Sequence, residues 1–457
     1  MEIAAHNIKA RIESAPMQPL QYAVVTICVL LNMLDGFDVL ALAFSASHIS
    51  DEWSLSGSQL GILLSSALFG MAAGSIVVAQ VADIVGRRRT IVVAALIVAL
   101  GMGLSAMATG FTMLLAVRIV TGIAVGTLQA CLNVMVAEYS SARHRSTAIS
   151  VYTAGQPIGG TLGGIIAGIL LAQFDWRAVF AFGAVVTLCV ALLAAAILPE
   201  SVDFLINRRP RNALARTNAI LTRLRQPALT EMPSVAMRNN DITGHWRDIT
   251  TGPNLLTTSL LGFSFFVLMA GFYFANSWTP KLVTSSGFTS ADGVQAGVCF
   301  SAGGIVGALV FGPLAMRFGV RPTLTALFGV AAAAFALYAL SMGTLHTALV
   351  AAVLLGMTTS AVMAGMFSIT PMYYDSSARA TAVGLVIGMG RVGAIFSPII
   401  AGRLIDLGWA PKNLYFLFCL PLIAGALAIF ALRSRRAVLT DSRTEPGATD
   451  AAPSLAH

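Results

Sequence analysis

The chain has 457 residues, of which 57% are apolar, a further 42 are glycine and only 11% are charged. A soluble domain carries roughly 25% charged residues, so this chain lacks the charge to cover a water-exposed globule of its size, and a mean hydropathy of +0.81 agrees. An ordinary soluble enzyme, a disordered chain and a nucleic-acid binder are excluded, although the formal charge is +8.

A membrane-spanning helix needs about 20 predominantly apolar residues. In chain order such runs lie at 21–44, 58–82, 90–109, 112–137, 146–172, 176–198, 255–279, 290–316, 321–342, 347–372, 380–405 and 411–432. The first run follows Lys9 and Arg11 as a signal peptide would, but Asp35 and Asp38 inside it do not suit a cleaved segment. It is read as the first permanent span. The expected organisation is an N-terminal segment 1–20, a six-span half 21–198, an Arg-rich and partly helical linker 199–253, a second six-span half 254–432, and a disordered tail 433–457. The fold class is an all-α membrane protein of twelve transmembrane helices.

Lys and Arg report orientation. With both termini inside, 22 of the 28 basic residues fall in cytoplasmic segments, four outside, and Arg118 and Arg391 within spans. The expected location is the inner (plasma) membrane, multi-pass, with cytoplasmic termini.

The halves also repeat. Arg145-Ser-Thr-Ala148 returns as Arg379-Ala-Thr-Ala382, and Ile165–Gly168 as Ile399–Gly402, both 234 residues later. Leu34–Phe37 and Asp83–Gly86 are answered by Met269–Phe272 and Met316–Gly319. Two related six-helix halves imply a transporter with its site at their interface near the midplane. The glycines recur in both halves, as packing requires, whereas the buried charges do not. Asp35 corresponds to Ala270, Asp38 to Tyr273, Arg118 to Ala352, and Arg391 to Pro157. A charge kept in one half only is not demanded by shared architecture, so it points to function.

These motifs resemble those of major facilitator superfamily transporters over essentially the whole chain, and within them the aromatic acid:proton symporter group (benzoate, 4-hydroxybenzoate and hydroxyphenylpropionate carriers). Asp35-Gly36-Phe37-Asp38 resembles that group's first-span acidic signature. Asp83-Ile-Val-Gly86-Arg87-Arg88-Arg89 is similar to the superfamily's gating loop, with Ala79 where Gly is usual and Ile84 where a basic residue is usual. Its second copy, Gly312–Gly319, lacks the acid. Arg118 with Gly122 and Gly126, Gly155-Gln-Pro157-Ile-Gly159-Gly160, Glu138-Tyr139 with Arg143 and Arg145, Leu198-Pro-Glu-Ser201, Asn276–Lys281 and Gly390-Arg391-Val-Gly393 extend the match. The resemblance implies the major facilitator fold and secondary transport. It assigns gating to Asp83, Gly86, Arg87, Arg88, Glu138 and Arg145, and adds Phe37 and Asn276 to the substrate site.

The residues themselves supply chemistry. A charge at mid-span costs ~2.5–3.5 kcal/mol even on lenient scales, and this chain keeps four. Asp35 and Asp38, three apart, share a helix face. Paired carboxyl groups away from water are suited to exchanging protons near neutral pH, so both are assigned to proton coupling. Arg391 and Arg118 stay charged and offer a planar fork to a carboxylate. Phe266 and Tyr273, seven apart, are placed to flank an aromatic ring, and Trp278 near the outer end reads as interfacial belt. Two glycine ladders on the fifth span, 155/159/163 and 160/164/168, permit close helix approach.

No enzyme, cofactor or metal is expected. The five cysteines lack paired or metal-ligand spacing, the six histidines lie in tails, loops or span ends, and no nucleophile–base set or nucleotide loop is present. The expected partners are a small aromatic carboxylate, protons and the bilayer, with the protein acting as a monomer. Transport of another organic acid or drug-like solute, including export, stays open, as does a membrane sensor.

Overall fold

A computed structural model describes residues 11–78, 81–233, 253–374 and 379–432. The tail 433–457, Lys9 and Ala79 lie outside the described residues. Among those described there is no strand, and twelve helices are long and apolar enough to cross a membrane. They are α1 Pro19–Trp53, α2 Gly57–Ala73, α3 Arg87–Ala106, α4 Phe111–Glu138, α5 Arg145–Gln173 and α6 Arg177–Ile197, then α7 Pro253–Ser285, α8 Ser290–Phe318, α9 Val320–Ser341, α10 Leu345–Ile369, α11 Arg379–Asp406 and α12 Pro411–Ala431.

Each predicted span coincides with one of these helices. The largest departure is α1, read to 44 because polar residues follow. The helix continues because Ser45 and Ser47 are buried and its last turn is anchored. There Glu52 accepts from Trp176 Nε1 at 2.6 Å and pairs with Arg177 at 2.7 Å. It stops at Ser54, which takes a left-handed φ of 49°.

The sequence repeat is a repeat of backbone contacts. A Cβ on Gly122 of α4 would lie 2.2 Å from the Ala67 carbonyl oxygen of α2, and one on the matching Gly356 of α10 would lie 1.8 Å from that of Phe300 in α8. Only glycine lets these helix pairs approach so closely. The two ladders of α5 face different partners. Gly155, Gly159 and Gly163 meet α1 alone, whereas Gly160, Gly164 and Gly168 reach Ser301, Val298 and Val294 of α8 in the other half, the first two also touching Leu40 and Phe44 of α1.

The described part of the linker forms two short helices, Val202–Arg208 and Ala213–Arg223, docked at one end of the bundle. That end, which also carries the α2–α3 and α4–α5 turns, is called the linker end here, and the opposite one the distal end.

Candidate functional site

Asp35 and Asp38 sit near the middle of the 35-residue α1, where the halves meet, and they face different surroundings. Asp38 is 1% exposed and Arg118 wholly buried. Arg118 Nη1 donates to Asp38 Oδ1 at 2.7 Å, and Nη2 donates to Oδ2 at 3.0 Å and to the Asp38 carbonyl at 3.2 Å. The guanidinium also lies 6.0 Å over the Phe180 ring. This bidentate pair is closed within the first half. In this conformation the fork of Arg118 is spent on Asp38 and only its buried Nε is left without a partner, which sets it apart from its expected place in the substrate site. The physical reason is register, which sets α4 so that its fork meets α1 rather than the space between halves.

Asp35 is held by amides. Gln129 Nε2 donates to its Oδ2 at 2.6 Å and Gln156 Nε2 to the same atom at 3.4 Å. Its Oδ1 is buried without a partner. Beside it lies a cavity of about 20 Å³ lined in part by Asn32, Gln129 and Thr187, room for about one water molecule. Neither glutamine was singled out by sequence reasoning. A signal existed, since Gln129 follows Arg118 by eleven residues, three helical turns, on the same face of α4.

From the second half, Arg391 of α11 is close enough to interact electrostatically with Asp35 across the interface and with Tyr273 of α7. Asn276 stands one turn beyond Tyr273 and is 8% exposed. Among the described residues, Arg391, Tyr273 and Asn276 have no hydrogen-bond partner. Tyr273 is braced edge-on by Phe272 at 5.3 Å, which packs on Phe300. Asp35, Arg391 and Tyr273 are thus brought together, with Asn276 adjacent on α7.

Two expectations need correction. Phe37 does not join that group. Its ring lies over Gly163 and Gly183 and meets Phe182 edge-on at 6.0 Å, inside the first half's own core. One residue from Asp38 on a helix is a turn of about 100°, which carries Phe37 to another face. Trp278 is 1% exposed and donates from Nε1 to the Pro398 carbonyl at 3.1 Å, so it ties α7 to α11 rather than sitting in an interfacial belt.

The six residues expected to gate gather at the linker end, all within the first half and the linker. Arg87 pairs with Glu138 at 2.7 Å, with Asp83 at 3.7 Å, and donates to Ser201 Oγ at 3.0 Å. Glu138 also accepts from Ser201 Oγ and the Asp203 N–H. Arg88 N–H donates to Glu200 at 3.0 Å, and Arg145 pairs with Glu13 at 2.7 Å. Gly86 has φ 109°, and a Cβ there would meet the Glu200 carboxylate at 2.6 Å. The Asp83 side chain is 69% exposed.

Between described residues, the hydrogen bonds and ion pairs that join the halves all lie on the distal side. Asp406 of α11 accepts from the N–H groups of Gly57 and Ser58 at 2.6 and 2.8 Å and from Ser58 Oγ, capping the start of α2. Ser65 Oγ donates to the Ile395 carbonyl, and Lys281 pairs with Asp51 at 3.2 Å. Sequence reasoning did not single out Asp406.

The Major Facilitator Superfamily profile matches residues 25–344 and 294–455, which together span most of the chain. The chain belongs to that superfamily. It is 29% identical to the 4-hydroxybenzoate transporter PcaK of Pseudomonas aeruginosa, over 93% of this chain and 95% of the relative. Identity to the gallate transporter of Pseudomonas putida is also 29%, covering 96% and 98%, and to the 3-(3-hydroxy-phenyl)propionate transporter of Escherichia coli 26%, covering 92% and 95%. Among solved structures, the inward-open xylose transporter XylE from E. coli superposes with a TM-score of 0.70 at 16% identity, covering 91% of this chain and 96% of that one. An inward-facing bacterial homologue of the lysosomal transporter Spinster gives 0.65 at 18%, with the same coverage. These likenesses establish the twelve-helix fold, and the curated relatives are transporters rather than enzymes.

Proposed function

We propose that this protein is a secondary active transporter that couples inward proton movement to uptake of an aromatic carboxylate by alternating access. The observation that carries the reading is Arg391, a permanent cation without a hydrogen-bonded partner, within electrostatic range of Asp35 of the opposite half and of Tyr273. The relatives named for 4-hydroxybenzoate, gallate and hydroxyphenylpropionate support the substrate class.

The charges give a coupling rule. In the empty carrier, Asp35 is the counter-ion of Arg391. A proton taken up by Asp35 leaves the guanidinium without that counter-ion, and a substrate carboxylate replaces it through the planar fork. Loaded and empty carriers then hold the same net charge between the halves, so either one closes without burying an unbalanced ion. A substrate without its proton, or a proton without its substrate, leaves the interface charged and stalls the cycle. Tyr273 supplies a ring wall and Asn276 a polar contact for substituents. Asp38 and Arg118 neutralise each other, and in this reading they hold Asp35 in register rather than touching the substrate. The basic bias of the sequence makes the linker end cytoplasmic in the inner membrane, so the halves are joined outside and the site faces inward.

Uptake of labelled 4-hydroxybenzoate into proteoliposomes tests this. Accumulation is expected only with an inward proton gradient, and Asp35→Asn is expected to abolish accumulation while retaining substrate exchange. Gradient-driven accumulation by Asp35→Asn would move the proton carrier elsewhere.

A further inference from the structure

A cavity of about 240 Å³ opens at the linker end, on the flank of the first half and away from Asp35. Its floor is the apolar end of α6, Ala196 to Pro199, and its walls are Arg88 and one face of the Ala213–Arg223 helix. That helix buries Ala213, Thr217, Ile220 and Leu221 and turns Arg216, Ala219 and Arg223, at i, i+3 and i+7, toward the cavity. Arg88 is fixed in place. Its Nη2 donates at 2.6 Å to the Ala195 carbonyl, whose helical partner four residues on would be Pro199, which has no N–H. Glu200, the acid among the lining residues, accepts on Oε1 from the N–H groups of Arg88 and Ser201 at 3.0 and 3.1 Å. Arg216 reaches it only at 4.0 Å. Arg223 is exposed, with no hydrogen bond or ion pair among the described residues. Three guanidinium groups therefore line the cavity against a single carboxylate.

A second feature gives the direction of approach. Leu188, Leu192 and Ala196 lie at i, i+4 and i+8 on α6 and are exposed. They form an apolar track that runs from the cavity floor into the membrane-spanning part of the helix. We infer that this cavity binds the phosphate headgroup of an anionic phospholipid, with Arg216 and Arg223 on the phosphate and an acyl chain along Leu192 and Leu188. A free phosphate ester would use the arginines but not the track. Basic pockets at this level of a helical bundle are suited to such headgroups, each cation contributing about 1 kcal/mol. The lipid would clamp the linker helix against α6, next to the Arg87–Glu138–Ser201 network.

The inference does not depend on the transported substrate. Its test is native mass spectrometry of the delipidated full-length protein in neutral detergent, titrated with phosphatidylglycerol, phosphatidylcholine or glycerol phosphate. Phosphatidylglycerol is expected to bind at least tenfold more tightly than phosphatidylcholine, and millimolar glycerol phosphate should not displace it. Arg216→Gln/Arg223→Gln should weaken it about 30-fold, while Arg216→Lys/Arg223→Lys retains most of the binding. Arg143→Gln/Arg317→Gln, which removes equal charge from exposed positions outside the cavity, should change it less than about twofold. Equal loss in that control, equal retention of phosphatidylcholine, or displacement by glycerol phosphate would overturn the assignment.

Discussion

In the first half, Asp38 and Arg118 close on each other and Asp35 is gripped by Gln129 and Gln156. In the second half the repeat puts Tyr273 where Asp38 stands and a fully buried Ala352 where Arg118 stands. Arg391 occupies the place of Pro157 and is left, like Tyr273 and Asn276, with no hydrogen-bonded partner. The same glycine-mediated helix pairs hold both halves together. One backbone plan thus carries two polar complements, one largely paired within its own half and one held open toward the interface. The comparison separates residues that stabilise a half from residues available to a ligand.

The largest expected effect comes from exchanging the two arginines' fates. Arg118→Leu strands a buried carboxylate and should cost ~3–5 kcal/mol of stability. Arg391→Leu breaks no hydrogen bond, and Asp35, still held by Gln129 and Gln156, can neutralise itself by taking up a proton, so the loss should be smaller, about 1–2 kcal/mol. Thermal unfolding in detergent compares them directly, and equal losses would erase the distinction between the halves. Next comes the glycine that ends each half's second-to-third helix turn. Gly86 has φ 109° and Gly319 φ 86°, so alanine is strained at either, by ~1–3 kcal/mol. At Gly86 the new Cβ also meets Glu200 at 2.6 Å, whereas at Gly319 the nearest atom is Pro322 Cδ at 3.6 Å. Gly86→Ala should therefore unfold at the lower temperature of the two, and the reverse order would mean that the linker contact does not stiffen the first half.

The smallest effect concerns Asp83. Its pair with Arg87 is long and exposed, worth ~0–1 kcal/mol, so Asp83→Asn should leave unfolding unchanged. As a residue of the proposed gate it should slow uptake several-fold at unchanged equilibrium binding. Loss of binding in a folded Asp83→Asn protein would contradict a gating role.

Much of this was legible in the sequence because spans, charge bias and repeat are set by one-dimensional periodicity. The closure of Arg118 on Asp38, which leaves Arg391 as the arginine without a hydrogen-bonded partner, was not. Both arginines sit at mid-depth in their spans, and only helix rotation decides which meets a partner of its own half. Phe37 was misplaced for the same reason, since adjacent positions on a helix face different neighbours. Asp406 was overlooked because it lies at a span end, where an acid reads as ordinary solvated charge. Its role as a cap for α2 depends on contact between helices of different halves, which no local pattern records. Arg88 and Pro199 were both quoted as motif residues, yet their connection through the orphaned Ala195 carbonyl appears only once α3 is packed beside α6.

The central claim is that Arg391 reads a carboxylate. Equilibrium binding of 4-hydroxybenzoate and of its uncharged amide, to wild type and to Arg391→Ala, tests it most directly. Losing one partner of a buried charged pair costs ~2–5 kcal/mol, so the acid should bind Arg391→Ala about 30-fold or more weakly, and Arg391→Lys should recover only part of that loss. The amide should bind poorly to wild type and lose little further in the variant. Equal affinity of the wild-type protein for acid and amide would contradict the account, because no carboxylate would then be recognised.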